Sequence, residues 1–174
     1  KRQALVPEKI KFQYVTGEIH HVFGKAYPLQ VLLGPRDEAG ISSFGELQLV
    51  LRTKQSDREA IFKEGMKRIL LLEIVQCFKK WTKRMALPES WITGVTIRVM
   101  KSRWGSCRSV TGRFSFALDL VTKPKECIEA VVVHELCHLF AAGHSADFYA
   151  LMEKYLSDYK ERGRLLSSLP RELV

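Results

Sequence analysis

The segment 130–138 reads AVVVHELCH, and it limits what this chain can fold into more than any other stretch. His134 and His138 are four residues apart, so both imidazoles leave the same face if the segment is helical. The apolar run that precedes them requires a buried environment. We therefore predict an interior helix that turns one polar face toward a site.

A third histidine, His144, follows six residues after His138, and Gly143 permits a left-handed turn that would return the chain toward the helix. Zinc accepts imidazole nitrogen, and three histidines leave its fourth tetrahedral position open for water. Glu135 lies beside the histidine face, where it could take a proton from that water. The pattern predicts one zinc ion on His134, His138 and His144, with Glu135 as the catalytic base of a hydrolytic reaction.

The spacing of the three histidines equals that of the metzincins, but the remaining features of that pattern differ. The metzincin glycine position is Ala141 here, and Met152 lies in a predicted helix rather than in a Met-turn. We therefore expect a zincin-like site that is not a metzincin site.

Composition indicates a soluble globular protein of 174 residues with a net charge of +9. We predict a single domain over residues 1–174, with a β-rich part at about 8–52 and a helical, metal-binding part at about 56–174. The positive charge favours anionic partners such as nucleotides, nucleic acid or acidic proteins. A merely basic surface would have the same composition.

The cysteines at 77, 107, 127 and 137 have no C-x-x-C spacing, which argues against a zinc knuckle and a disulfide scaffold. No apolar stretch approaches the length of a membrane span, and residues 1–5 precede no apolar signal region. We expect a cytoplasmic protein without membrane association.

Local patterns predict strands at residues 11–15, 27–33, 46–51, 94–100 and 113–118. A long helix is expected from Ser56 to Met85, with Ser56 as its cap and Glu59 completing a capping box. The strands 94–100 and 113–118 should form a hairpin directly before the metal-binding helix. Ser145 should cap the helix that follows the third histidine.

Three motifs together resemble the YgjP-like metallopeptidase family: SRWGSC at residues 102–107, VVHELCH at 132–138, and His144-Ser145-x-x-Phe148. The segment 17–33 is also similar to these proteins, so the resemblance extends over nearly the whole chain. Members commonly have Asn where this chain has Ala117.

The resemblance implies an α+β, zincin-like fold, with a mixed or antiparallel sheet packed beside a long helix and the metal-binding helix. It also implies zinc on the three histidines and Glu135 as the base. A bacterial member is associated with UTP pyrophosphatase activity, and SprT-type proteases look like distant relatives.

Arg103 could bind a phosphate or a carboxylate through two hydrogen bonds, or form a salt bridge with Glu129 or Asp119. Trp104 could stack on a base, although a packed aromatic residue fits the sequence better. Lys101 and Arg113 could neutralise a phosphate chain.

Ser106 and Cys107 are expected to be structural, because no base adjoins them in the sequence. A carboxylate should orient at least one histidine, with Asp147 and Glu153 as the candidates. His20 and His21 are expected at the surface.

Three functions remain open from the sequence. The first is peptide hydrolysis, with the strand near residues 114–118 pairing with an extended substrate. The second is pyrophosphohydrolysis of a nucleotide such as UTP at the same metal site. The third is a DNA-associated binding module whose zinc is structural.

Overall fold

The computed structural model describes residues 11–173. Its first sheet has four strands in the order β1-β2-β4-β3, namely β1 (Ile19–Val22), β2 (Lys25–Leu33), β3 (Glu38–Ile41) and β4 (Leu47–Leu51). β2 and β4 are parallel, whereas the other two pairs are antiparallel. The alternating pattern predicts that every second residue of β4 faces the core, and Leu47, Leu49 and Leu51 are indeed buried.

The predicted strand at 11–15 is wrong, because this segment is not part of a sheet. Tyr14 has a positive φ of 54°, which an extended strand does not allow. The backbone N–H groups of Gln13 and Tyr14 instead donate to the carboxylate of Glu18, at 2.8 and 2.7 Å. The carboxylate of Glu18 thus accepts hydrogen bonds that the carbonyl groups of a neighbouring strand would accept in a sheet.

The long helix α1 (Arg58–Arg84) agrees with the prediction to within two residues, but its cap does not. Asp57 is the cap and accepts from the backbone N–H of Ala60 at 3.0 Å. The hydroxyl of Ser56 donates to Asp37 at 2.7 Å instead. The buried side of α1 covers parts of both sheets, and its largest buried residues are Phe62, Met66, Leu70, Ile74, Phe78 and Trp81.

The second sheet has the order β5-β7-β6, with β5 (Gly94–Arg98), β6 (Gly105–Arg108) and β7 (Arg113–Ala117). The predicted hairpin of 94–100 with 113–118 is wrong, because β5 and β7 are parallel. The antiparallel partner of β7 is β6, a segment that the sequence analysis did not assign to a strand. β6 has only four residues, and its glycine and serine have low strand propensity.

Three further helices complete the fold, namely α2 (Lys125–Cys137), α3 (Ala146–Tyr155) and α4 (Tyr159–Ser168). α2 is almost wholly buried and packs against α1, α3, α4 and β6. The Ser145 side chain caps α3 as predicted, accepting from the N–H of Phe148. The α+β class is confirmed, with two small mixed sheets. None of the helices within 11–173 combines the length and the apolar character needed to cross a bilayer.

Candidate metal centre

Three imidazole rings meet at the C-terminal end of α2. His134 lies on its last turn, His138 caps the helix, and His144 lies in the loop before α3. Nε2 of His134 is 3.3 Å from Nε2 of His138 and 3.0 Å from Nε2 of His144. One ligand nitrogen from each ring lies within 4.8 Å of the other two.

These distances suit a tetrahedral zinc ion. Zinc–nitrogen bonds of about 2.0–2.1 Å place two ligand nitrogens about 3.3 Å apart. Three imidazole nitrogens held this close together form a donor set that zinc prefers. The three histidines therefore fit one zinc ion and leave a further position for water or substrate.

Gly143 lets the loop return to α2, as the sequence analysis predicted. Its φ of +79° lies in the left-handed region, which residues with a Cβ rarely adopt. This turn brings His144 back beside His134, ten residues earlier in the chain.

A backbone carbonyl, not a carboxylate, orients His138. Its Nδ1–H donates to the carbonyl of Ala141 at 3.3 Å, which leaves Nε2 free to bind a metal. In the part of the chain that the structure describes, Asp147 and Glu153 are exposed and neither bonds to a histidine ring. The prediction of an orienting carboxylate at these two positions is wrong, because both side chains are exposed and the carbonyl of Ala141 takes this role for His138.

Phe148 supports all three rings from one side. It is fully buried, and its ring centroid is 4.9 Å from that of His134, 4.7 Å from His138 and 4.8 Å from His144. From the sequence, Phe148 is identified only as part of the motif His144-Ser145-x-x-Phe148, without a role at the site. Its place three residues after the cap Ser145 is the signal that could have located it beside the histidines.

Burial keeps the imidazoles of His134 and His138 neutral and able to bind a metal. Burial, together with the neighbouring His138 and His144, lowers the pKa of His134 to about 4. Burial is also the main reason that the pKa of His138 is lowered. Protons therefore do not compete for these two nitrogens at neutral pH.

Glu135 is 5% exposed and lies against the first residue of β6. Burial raises the pKa of its carboxyl group to about 7, although the charge of Arg103 and the backbone N–H of Cys107 act in the opposite direction. A Cβ at Gly105 would lie 2.6 Å from Oε1 of Glu135. Glycine at 105 thus permits the close approach of β6 to Glu135, rather than serving a turn.

The histidines and Glu135 open into a cavity of about 750 Å³. β6 and the residues before it form one wall, and α3 and α4 contribute apolar side chains to the other, namely Met152, Tyr159 and Leu166. Arg103 and Trp104 line the cavity, whereas Lys101 and Arg113 do not. The structure thus brings two of the four proposed substrate-binding residues to the site.

Arg103 forms no salt bridge within residues 11–173. Glu129 instead pairs with Lys80 and Arg162, and Asp119 receives hydrogen bonds from the C-terminal residues. The proposed salt bridge of Arg103 to Glu129 or Asp119 is therefore wrong, because Glu129 pairs with Lys80 and Arg162 and Asp119 has Arg171 as its cationic neighbour.

Cys107 also lines the cavity, but it is not a thiolate nucleophile. Burial, with the charge of Glu135 adding to it, raises the pKa of the thiol to about 11. A protonated thiol agrees with the structural role expected for this residue.

The two N-terminal histidines lie outside the cavity lining. His21 is partly exposed, as expected, but His20 is only 2% exposed. Its ring packs between Phe12, Tyr14 and Phe62, and Nε2 lies 2.9 Å from Glu18. The surface prediction is wrong for His20 because Phe62, which is distant in the sequence, encloses the ring together with Phe12 and Tyr14.

The family model of the YgjP-like metallopeptidase domain matches residues 1–169. Among solved structures, the chain is similar to the metallopeptidase zymogen abylysin of Pyrococcus abyssi. The two share 20% identity with a TM-score of 0.49, and the match covers 58% of this chain and 99% of that chain. A comparison with curated proteins found no match.

Proposed function

The chain belongs to the YgjP-like metallopeptidase family, and on that basis we propose that it is a zinc-dependent hydrolase that cleaves peptide bonds with Glu135 as the base. One observation carries the proposal. Three imidazole nitrogens lie within 4.8 Å of one another, and their rings line the same cavity as the buried residue Glu135. Structural zinc sites are normally closed by four protein ligands, whereas this donor set has three.

Glu135 supplies the proton transfers of the proposed reaction. When bound on the three histidines, zinc supplies a Lewis acid that polarises the scissile carbonyl and makes water more acidic. Glu135 takes a proton from the water that attacks the carbonyl carbon, and its carboxyl group then protonates the leaving nitrogen. The raised pKa of Glu135 suits both steps, since a group near neutrality accepts and releases a proton readily.

The edge of the second sheet offers a place for an extended peptide. β7 is the central strand and is paired on both sides, so it cannot receive the substrate as the sequence analysis suggested. Within the described chain β6 pairs only with β7, and its residues Gly105, Ser106 and Cys107 line the cavity. We infer that a substrate strand adds to the free edge of β6.

Arg103 is suited to an anionic group of the substrate. It lies on the cavity wall without an acidic partner among the described residues, and its charge acts on Glu135. A guanidinium there could bind a peptide carboxylate or stabilise negative charge on the attacked carbonyl oxygen.

The test is hydrolysis of a mixture of fluorogenic peptides by zinc-loaded protein. Glu135→Gln should lower the rate by about 10³-fold while zinc content is unchanged. Glu126→Gln is the matched control, because it removes the same charge from an exposed position on the same helix. Equal activity of the wild type and Glu135→Gln would overturn the proposal.

Nucleotide pyrophosphohydrolysis is a second candidate, favoured by the net charge of +9 and by Arg103 on the cavity wall, which has no acidic partner among residues 11–173. Lys101 and Arg113 do not line the cavity, so fewer cations face a triphosphate than the sequence suggested. Pyrophosphate release from UTP that disappears in both Arg103→Ala and Glu135→Gln would favour this candidate over peptide cleavage.

A DNA-associated module with structural zinc is the third candidate and rests on charge alone. We retain it as a prediction, together with the cytoplasmic location. Retention on DNA that falls steeply with salt, together with inactivity on peptides and UTP, would favour it.

A further inference from the structure

Residues 170–173, the C-terminal strap, are bound to a buried carboxylate behind the cavity wall. Oδ1 of Asp119 accepts from the backbone N–H of Glu172 at 2.8 Å and of Leu173 at 2.7 Å. Asp119 is fully buried, and Leu173 is 4% exposed. A buried carboxylate needs such partners, so the strap is an integral part of this region.

A second buried charge holds the other end of the strap. Lys123 is 1% exposed, and its Nζ donates to the carbonyl of Pro170. The same Nζ lies 3.6 Å from Glu172, whose other carboxylate oxygen is 3.0 Å from Nδ1 of His21. The strap is therefore connected to β1 and to the segment before α2.

Arg171 connects the strap to the cavity wall. Its guanidinium carbon lies 3.8 Å from the centroid of the Trp104 ring, a close stacking contact. Nη1 donates to the carbonyl of Met100 at 2.6 Å and lies 3.9 Å from Oδ2 of Asp119. That oxygen has no hydrogen-bond partner among residues 11–173, so the guanidinium is its nearest source of positive charge.

Trp104 lies between Arg171 and the cavity. It lines the cavity, and its carbonyl accepts from the N–H of Ala117 at 2.8 Å, which joins it to β7. The next residue, Gly105, lies against the carboxylate of Glu135. A shift of Trp104 would therefore move β6 relative to the catalytic base.

We propose that Arg171 is a positioning residue, which holds Trp104 and thereby the wall 103–107 of the cavity in place. The strap follows the range that the family model matches, residues 1–169. The consequence for turnover rests on the hydrolase function proposed above, whereas the effect on the position of the wall does not.

Hydrogen–deuterium exchange of the zinc-loaded full chain tests the effect on the wall directly. In Arg171→Ala, amides of residues 103–107 should exchange about tenfold faster, while those of α2 remain as protected as in the wild type. Arg171→Lys keeps the charge but not the planar stacking and should lie between the two. Arg164→Ala is the matched control, since Arg164 is exposed on α4.

Unchanged exchange of residues 103–107 in Arg171→Ala would overturn the proposal, as would equal acceleration throughout the chain, which indicates general destabilisation. Kinetics on a cleaved peptide provide a second measurement. Arg171→Ala should lower kcat/KM with zinc content unchanged, and Arg171→Lys should restore part of it. If the wild type cleaves no peptide, the hydrolase proposal fails and the exchange result still decides the role of Arg171.

Discussion

The cavity has two walls that the chain builds in different ways. The helix wall includes His134, Glu135 and His138 at the end of α2, beside apolar side chains of α3 and α4. The strand wall, residues 103–107, is held by β7 and by the C-terminal strap, which follows about 65 residues later in the chain. Local helical geometry places the first wall, whereas contacts between distant segments place the second.

Because the two walls are built differently, we expect metal binding and substrate binding to be affected by different substitutions. The donor nitrogens depend on the helix and on the short loop to His144, so a change in the strand wall should leave zinc in place. The position of β6 depends on several distant contacts, each of which can be changed without touching a metal ligand. The two walls should therefore respond differently to substitution.

The largest expected effect comes from the helix wall. His134→Ala removes the nitrogen that is closest to both other donors, so zinc should be lost during gel filtration and activity should fall by at least about 10³-fold. Zinc content by mass spectrometry measures the first effect, and peptide cleavage measures the second. Retention of one zinc per chain would show that the three histidines are not its ligands.

The strand wall should lose activity without losing metal. In Gly105→Ala the new Cβ would lie 2.6 Å from Oε1 of Glu135, so β6 or the carboxylate must move, and kcat/KM should fall by about 10²-fold. Gly94→Ala in β5 is the matched control, because its Cβ would meet no atom within 4 Å. If both variants lose zinc, or if both keep full activity, the distinction between the walls fails.

The pH dependence of kcat/KM tests whether Arg103 of the strand wall affects Glu135 of the helix wall. Glu135 acts as a base only when deprotonated, so kcat/KM should rise with pH through the pKa of Glu135, which is about 7 without metal and lower beside zinc. Arg103 lowers this pKa, so Arg103→Ala should move the rising limb to higher pH, and Arg103→Lys should move it back. A limb that does not move would show that Arg103 lies too far from the base to affect it.

The smallest effect concerns the stability of the metal-free protein. The pKa of Glu135 rises from 4.5 to about 7 on folding, so its favourable contribution is present below pH 4.5 and is lost as pH rises through 7. At pH 8, Glu135→Gln should therefore stabilise the metal-free protein by about 1–3 kcal/mol, and at pH 4.5 the difference should vanish. Urea unfolding with a chelator at both pH values measures this, and equal stabilities at pH 8 would contradict it.

Elements with strong periodicity were predictable, and those that depend on pairing partners were not. The bounds of α1 agree with the predicted bounds to within two residues, because a 3.6-residue apolar pattern identifies a helix without reference to the rest of the fold. The hairpin of β5 with β7 was wrong, because alternation indicates a strand but not its neighbour. The surface prediction for His20 is wrong because Phe62, which completes its aromatic surroundings, lies 42 residues later in the sequence.

From the sequence alone we predict the candidate metal ligands His134, His138 and His144, the candidate base Glu135, and the helix that carries most of them. His134, Glu135 and His138 lie one to four residues apart, within two helical turns, so helical geometry alone brings them together, whereas His144 returns through the loop at Gly143. Packing between distant segments, in contrast, makes β6 the opposite wall of the cavity and stacks Arg171 on Trp104. These contacts join segments whose separation in sequence carries no periodic signal, because they arise when the two sheets and the helices pack into one core.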